Sequence, residues 1–362
     1  MILRIFGVSV AVALVGLAAG VLYGGLTGLL LTAVLIVLEV SISFDNAVVN
    51  ATILQRMSRF WQQIFLTVGV LIAVFGMRLV FPLAIVGLTA SIGPIEAVKL
   101  ALEKGDPETP GTYGYLLHEA HPAIAAFGGI FLLMLFLDFV FAHREVHWIA
   151  PVERVLARAG RMGNLSVLVA VATLVVAGYV LAPPDKVSTV LISGLLGLGV
   201  YLAVNGLGEY FESRAEKDTD DGPSQLAQAT GKAAFFLFLY LEVIDASFSF
   251  DGVVGAFAIT SDPVIIALGL GVGAFFIRSI TIYLVRTGSL ARYTYLEHGA
   301  MWAIGALAAI LIVSIAHEVP EWVTGALGVG FIAAALVSSV RRNRRTARAD
   351  SGQSAASVAS PS

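Results

Sequence analysis

The sequence predicts an all-α polytopic membrane protein with about ten transmembrane helices. The prediction rests on the composition, the mean hydropathy and the succession of long apolar runs. Of the 362 residues, 58% are hydrophobic and 13% are charged, whereas soluble domains carry about 25% charged residues. Mean hydropathy is +0.88, and apolar runs of about 20 residues, the length that spans a bilayer, follow one another along the chain. Two of these runs also contain acidic residues in a repeated pattern.

Composition excludes several classes of function. The chain has no cysteine, which rules out disulfides, thiolate metal sites and thiol redox chemistry. A net charge of −3 gives no indication of a nucleic-acid partner. The partners expected are the lipid bilayer and a transported ion, with no resident cofactor, and the sequence does not identify protein partners.

The distribution of basic residues orients the expected helices. With the first terminus in the cytoplasm, seventeen of the 22 lysines and arginines fall inside, three fall outside, and two lie within spans. This distribution follows the positive-inside rule and places both termini in the cytoplasm of a plasma or inner membrane. The expected spans are 5–25, 28–52, 63–90, 122–142, 164–182, 187–208, 232–259, 263–286, 299–316 and 321–340.

The same pattern divides the chain into parts. Residues 1–208 hold the first half (spans 1–5) and the start of the second (187–208), residues 209–231 form a cytoplasmic linker, and 232–340 complete the second half. The basic segment 341–362 is expected to be disordered. Alternatively, the first apolar run is a cleaved signal peptide, which leaves nine spans in the same orientations.

Two short acidic motifs stand out within the apolar runs. The first motif extends from Glu39 to Asn46 (EVSISFDN), and the second extends from Asp245 to Gly252 (DASFSFDG). A charged side chain at the centre of a bilayer costs roughly 2.5–3.5 kcal/mol on insertion scales. Acids that recur in this setting indicate a function.

The two motifs predict an inverted repeat of five plus five spans. They fall in spans two and seven, which run in opposite directions, and each is followed by an arginine in the next span, Arg78 and Arg278. In transporters built from inverted repeats, the substrate site lies near the midplane between the repeats. A chance echo of short motifs is the alternative.

The spacing within each motif predicts an interrupted helix. Residues six apart on a straight helix are turned by about 120° from a common face, so Glu39 and Asp45 cannot both face one site. By contrast, Glu242, Asp245 and Ser249 share a face. We therefore expect the helices to be kinked or unwound near Ser41–Ser43 and Ser247–Ser249, which would free carbonyl groups as ligands.

Charge at bilayer depth predicts a cation site. Six acids stand against two arginines in the spans, and the acids are Glu39, Asp45, Asp138, Glu242, Asp245 and Asp251. Oxygen ligands from carboxylates, Asn46, Ser43 and Ser249 suit Mn²⁺, Ca²⁺ or Mg²⁺. A vacated carboxylate cluster should take up protons, which makes proton exchange the expected counter-flow.

Several supporting residues have two interpretations. Arg78 and Arg278 are either fixed counter-ions for the acids or part of a substrate path. Asp138 either reaches the interface or pairs with Arg78, or it is a ligand or gate. Glu242 is either a further ligand or a partner for Arg278.

The motifs resemble those of the TerC family of integral membrane proteins, which carry an acid and then Ser-x-Asp-Asn in an early span and a similar motif later. The match covers Glu39, Asp45 and Asn46 in the first motif, and Asp245 and Asp251 in the second. The resemblance implies an ion exporter related to LysE-type exporters, linked with manganese efflux and in some members with tellurite resistance. The sequence departs at Gly252, where the family usually has a small polar residue, and it has more spans than shorter members.

The expected function is therefore efflux of a divalent cation, Mn²⁺ first, by alternating access, with no enzymatic activity. Three alternatives stay open: a non-transporting accessory or scaffold protein in metal stress, a channel or monovalent cation/proton antiporter, and an intramembrane aspartyl protease. The protease lacks the Gly-x-Gly-Asp setting at both aspartates.

Overall fold

The computed structural model describes residues 2–80, 83–84, 86–87, 92–103, 108–160, 163–217, 231–260, 262–288, 292–317 and 319–358. Within them the chain is helical. Twelve α-helices and three π-helical segments follow in order: α1 (Ile2–Ile42), α2 (Phe44–Leu54), α3 (Arg59–Ile64), π1 (Phe65–Gly69), π2 (Ile72–Val80), α4 (Pro94–Leu102), α5 (Tyr113–Phe141), α6 (Ala150–Ala159), α7 (Leu165–Val176), π3 (Ala177–Leu181), α8 (Val187–Lys217), α9 (Gly231–Ile259), α10 (Pro263–Thr287), α11 (Leu296–Ser314) and α12 (Glu321–Val358).

Seven helices are long and apolar enough to cross a membrane, judged from the described residues: Ile5–Ser41, Arg59–Gly76, Tyr113–Phe141, Val187–Leu207, Pro263–Thr287, Leu296–Ser314 and Val323–Arg345. Leu165–Leu181 is a shorter apolar helix. Large apolar side chains such as Leu22, Leu168 and Tyr179 are exposed on the outer helices, as expected where the surrounding solvent is lipid. The chain is a polytopic helical membrane protein.

Helix α1 consists of two arms that fold back on each other. Gly24 and Gly25 have non-helical dihedrals, and Gly25 takes a positive φ of 61° that glycine adopts without strain. The first arm lies along α10, where the Ser9 hydroxyl is 2.7 Å from that of Ser279. The second arm packs on the same helix further along, with Leu35 against Gly269. The two arms correspond to the first two expected spans.

The centre of the bundle is α5, which packs against α8 and α11. Its buried side chains include Phe131, Leu132 and Met134, and they join one large apolar cluster with residues of α2, α9 and α11. Helices α9 and α10 lie beside this core and carry the second acidic motif and Arg278. The fold therefore buries the described acids Glu39, Glu242 and Asp245, whereas side chains on the other face of α1, such as Val34 and Val37, are exposed.

Candidate functional site: two acidic motifs in antiparallel contact

The two motifs meet side by side and run in opposite directions. The Asn46 amide donates to Asp245 Oδ1 over 2.7 Å. Glu39 lies seven residues before Asn46, and Gly252 lies seven residues after Asp245. These two residues face each other, since a Cβ placed on Gly252 would lie 3.0 Å from Glu39 Oε2. The start of each motif therefore contacts the end of the other.

This contact explains which residues face the interface. Positions seven apart on a helix are turned by about 700°, close to two full turns, so they share a face. Glu39 and Asn46 form that face on the first motif, and Asp245 and Gly252 form it on the second. Sequence reasoning concentrated on the six-residue spacing of the acids and missed the seven-residue spacing that the contact uses.

Glu39 is 1% exposed and lies in a complete set of polar contacts. The Arg78 guanidinium forms an ion pair with Glu39 Oε1, and the Ser43 hydroxyl donates to the same oxygen over 3.0 Å. On the other side, Gly273 of α10 leaves the space that Glu39 fills, since a Cβ there would be 2.5 Å from the Glu39 Cβ. One charge of each sign is buried together here, which is the arrangement that a buried ion requires.

A π-helical backbone positions Arg78. Segment π2 contains this residue, and Arg78 Nη1 donates to the carbonyl of Ala73 over 2.6 Å. π-helical turns are rare and occur mostly at functional sites. An apolar cavity of about 490 Å³ lies beside Arg78, between α1, α4 and α10. Because its walls are apolar, the cavity keeps the Glu39–Arg78 pair away from water on that side.

Glu242 lies one turn before the second motif, so that it and Asp245 present two carboxylates to one guanidinium. Arg278 Nη2 donates to Asp245 Oδ2 over 3.2 Å, and it lies 3.8 Å from Glu242 Oε1. The same nitrogen donates to the carbonyl of Gly69, and the Phe65 ring covers the guanidinium at 3.8 Å. Asp245 and Glu242 are 3% and 5% exposed. This part of the site carries a surplus negative charge.

Both arginines form ion pairs with the acids. Each arginine binds the first acid of the motif that precedes it in the chain, Arg78 with Glu39 and Arg278 with Asp245. Asp138 does not pair with Arg78. Its Oδ2 accepts a hydrogen bond of 2.6 Å from the Tyr201 hydroxyl, so Asp138 lies in a separate polar contact between α5 and α8.

The expected helix interruption is present in one motif and absent from the other. Ser43 has non-helical dihedrals (φ −90°, ψ 15°) and separates α1 from α2. Its turn is still hydrogen-bonded, since Ser43 N donates to Glu39 O and Ala47 N donates to Ser43 O, so these carbonyls are not freed as ligands. The second expectation was wrong for the described backbone, where α9 runs unbroken through Ser247–Ser249.

The side chains of Asp45, Ser249 and Asp251 lie outside the described residues, although their backbones belong to α2 and α9. Among the described side chains, no group of three or more His, Asp or Glu is arranged to hold a metal ion. Of the expected cation ligands, the described side chains are therefore Glu39, Asn46 and Asp245, and the supporting residues Ser43, Glu242, Arg78 and Arg278 lie around them.

Asn50 is a polar residue of this region that sequence reasoning missed. It is fully buried, and neither atom of its amide has a hydrogen-bond partner in the described part of the chain. The available signal was its position four residues after Asn46, which places both amides on one face of α2.

Comparison with family models gives one match, to a family described as "Protein of unknown function (DUF475)", over residues 44–346. The chain belongs to the DUF475 family. The matched region includes Asn46, Arg78, Asp245 and Arg278 but begins after Glu39. Neither curated proteins nor solved structures give a match.

Proposed function

We propose that this DUF475 protein is a membrane transporter that exports a divalent cation, Mn²⁺ first and Ca²⁺ or Mg²⁺ as the other candidates. The observation that carries the proposal is the antiparallel contact of two acidic motifs inside the protein, with Asn46 bonded to Asp245. Ionisable residues inside membrane segments are expensive, and they mark ion and proton pathways. An isolated structural ion pair would not need a second motif in contact with it.

The charge balance supports a cation as the substrate. Around the two motifs, the described buried acids Glu39, Glu242 and Asp245 exceed Arg78 and Arg278 by one negative charge when all three are ionised. Asp45 precedes Asn46, and Asp251 precedes Gly252, on the two helices that meet. A bound cation or protons must balance these acids, since isolated buried charges are strongly unfavourable. Carboxylate and amide oxygens suit a hard divalent ion.

The relation between the halves supports alternating access. Opposite helix directions at the motif contact are what an inverted five-plus-five repeat would produce, and in such transporters one repeat rocks against the other around the site. The resemblance of the motifs to those of the TerC family, which is linked with manganese efflux, supports outward transport. We place the protein in the cytoplasmic membrane with both termini inside, following the distribution of basic residues.

Reconstitution into liposomes tests this proposal. Wild-type protein should move Mn²⁺ across the vesicle membrane, measured by quenching of an enclosed metal-sensitive dye. The variants Asp45→Asn and Asp251→Asn should abolish the flux at normal insertion, because each removes a ligand charge. Lys99→Gln in the outer helix α4 is the matched control and should retain the flux.

The outcome separates transport from the alternatives. Wild-type flux in both aspartate variants would overturn the proposal. The absence of flux for every cation in the wild type would favour the accessory role. A flux of Na⁺ or K⁺ without Mn²⁺ would favour a monovalent antiporter or channel.

In cells, a deletion strain under Mn²⁺ overload should regain growth with the wild type and not with the two variants.

A further inference from the structure

Arg278 does not fully balance the negative charge of Glu242. Arg278 donates a hydrogen bond to Asp245 at 3.2 Å, and Asp245 also accepts the amide of Asn46 at 2.7 Å. Glu242 has one charged contact, at 3.8 Å, and neither of its oxygens has a hydrogen-bond partner among the described residues. A carboxylate buried to this degree is unfavourable as an anion and becomes favourable when it takes a proton.

Asn50 is the unpartnered amide on the facing helix. An amide offers two donors and an acceptor oxygen, and those of Asn50 are fully buried without a partner in the described structure. Buried polar groups are normally hydrogen-bonded, and an exception of this kind points to a group such as a bound water. Buried waters typically satisfy such groups.

The antiparallel contact places these two residues on the same side of the Asn46–Asp245 hydrogen bond. Asn50 follows Asn46 by four residues, and Glu242 precedes Asp245 by three, so each lies about one turn from the contact and on the contact face. Because the helices run in opposite directions, both turns lead toward the same end. The expected orientation of the spans makes this the cytoplasmic side.

We propose that Glu242 and Asn50 form a proton site, separate from the cation ligands, on the cytoplasmic side of the Asn46–Asp245 contact. Glu242 takes a proton when the cation leaves, and Asn50 holds the water through which that proton arrives. The proton comes from hydronium in the aqueous phase, an O–H bond forms at the carboxylate, and neutral water remains. When a cation returns, this O–H bond breaks and the proton returns to water. This inference rests on the proposed cation transport and names its coupling ion.

Two other described charged residues of this region have partners of their own. Arg78 binds Glu39, and Asp138 accepts from Tyr201, whose ring contacts Tyr240. On the remaining side, the glycine at position 69 allows Glu242 to approach, because a Cβ there would lie 2.7 Å from Glu242 Oε1. Among the described acids of the site, the geometry thus assigns the exchangeable proton to Glu242.

Infrared difference spectroscopy of the purified full-length protein during a pH titration tests the proton site directly. Wild type should show the carbonyl band of a neutral, buried carboxylic acid, and Glu242→Gln should lose it. Glu119→Gln is the matched control, because Glu119 is a half-exposed carboxylate paired with Lys186, and it should retain the band. An unchanged band in Glu242→Gln would overturn the proposal.

Proton release on addition of Mn²⁺, followed with a pH dye in weak buffer, tests the coupling. Wild type should release protons, Glu242→Gln should lose this release while Mn²⁺ still stabilises it, and Asn50→Leu should slow the release at unchanged thermal stability. Release from Asn50→Leu at the wild-type rate would overturn the role of Asn50. If Mn²⁺ neither stabilises the wild type nor releases protons from it, the proposed transport fails, and the infrared band still decides the protonation of Glu242.

Discussion

The two acidic motifs are built alike but are compensated differently. Glu39 has an arginine and a serine hydroxyl of its own half, and it faces a glycine of the other half. Asp245 has an arginine of its own half and receives an amide from the other half, while Glu242 shares that arginine. The described part of the first motif is therefore neutral, whereas Glu242, one turn before the second motif, adds a surplus negative charge when it is ionised.

The two motifs are therefore not interchangeable, although their sequences are similar. Asn46 and Gly252 occupy equivalent places, since each follows the second acid of its motif. Asn46 supplies a donor to the opposite acid, whereas Gly252 supplies space next to Glu39. The two motifs therefore present different groups to their contact.

Removing the shared arginine should have the largest effect. At a pH at which Glu242 is ionised in the infrared titration, Arg278→Met would leave both Asp245 and Glu242 without a counter-ion, and breaking a buried ion pair typically costs about 3–5 kcal/mol. Arg78→Met should cost less, because it leaves Glu39 as a single uncompensated acid. Thermal unfolding of both variants in the same detergent measures the difference.

Adding Glu242→Gln to each arginine variant tests whether Glu242 causes the difference in stability. Adding Glu242→Gln to Arg278→Met should recover part of the lost stability, because it removes one of the two uncompensated charges. Adding the same change to Arg78→Met should recover little. Equal losses for the two single arginine variants would contradict the unequal charge of the two motifs.

The amide that links the motifs should come next in effect. Asn46→Ala removes a hydrogen bond to a buried carboxylate, and such bonds contribute about 1.5–3 kcal/mol. Asn50→Leu should leave stability unchanged or raise it, since it replaces an unpartnered buried amide by an apolar group of similar size. Chemical denaturation compares them, and a larger loss for Asn50→Leu would contradict the assignment of partners.

Close packing next to the acids should give a smaller loss. In Gly273→Ala the new methyl group would meet Glu39 at 2.5 Å, and overpacking of this kind costs about 1–3 kcal/mol. Gly7→Ala is the control, because a Cβ at Gly7 meets nothing within 4 Å. Melting temperatures should fall for Gly273→Ala and not for Gly7→Ala; a matching fall in both would show that the space beside Glu39 is not needed.

The smallest effect is expected at the surface. Lys186 pairs with Glu119 over 2.8 Å, and both side chains are partly exposed. Exposed pairs contribute about 0.2–1 kcal/mol, so Lys186→Gln should change the melting temperature little. A loss as large as that of Asn46→Ala would mean that the outer loops stabilise the site.

Hydrophobicity and charge in the sequence were enough to predict a helical membrane protein. The interruption at Ser43 also followed from the spacing of Glu39 and Asp45. The second interruption did not occur, because on a continuous α9 Asp245 and Gly252 already share the face that meets the first motif. The expectation was that both acids of a motif, six residues apart, face one point. The observed contact instead uses residues seven apart, which share a face on a continuous helix.

Other features depend on packing that the sequence does not display. The π-helical backbone around Arg78 and the glycines beside Glu39 and Glu242 serve contacts between distant segments. Glycines are frequent in membrane helices, so Gly69 and Gly273 carry no local signal that separates them from the others. Asn50 could have been noticed, because an amide in an apolar run needs a partner.

If the two motifs together bind a divalent cation, that cation should raise the melting temperature of the purified protein. Mn²⁺, Ca²⁺, Mg²⁺ and Zn²⁺ should be compared on the wild type and on the double variant Asp45→Asn/Asp251→Asn. At a free cation concentration of about 100 times Kd, binding should stabilise the wild type by about 2.7 kcal/mol. We predict that Mn²⁺ gives the largest stabilisation and that the double variant loses it. Equal stabilisation of both proteins, or none of the wild type by any of the four cations, would contradict the account.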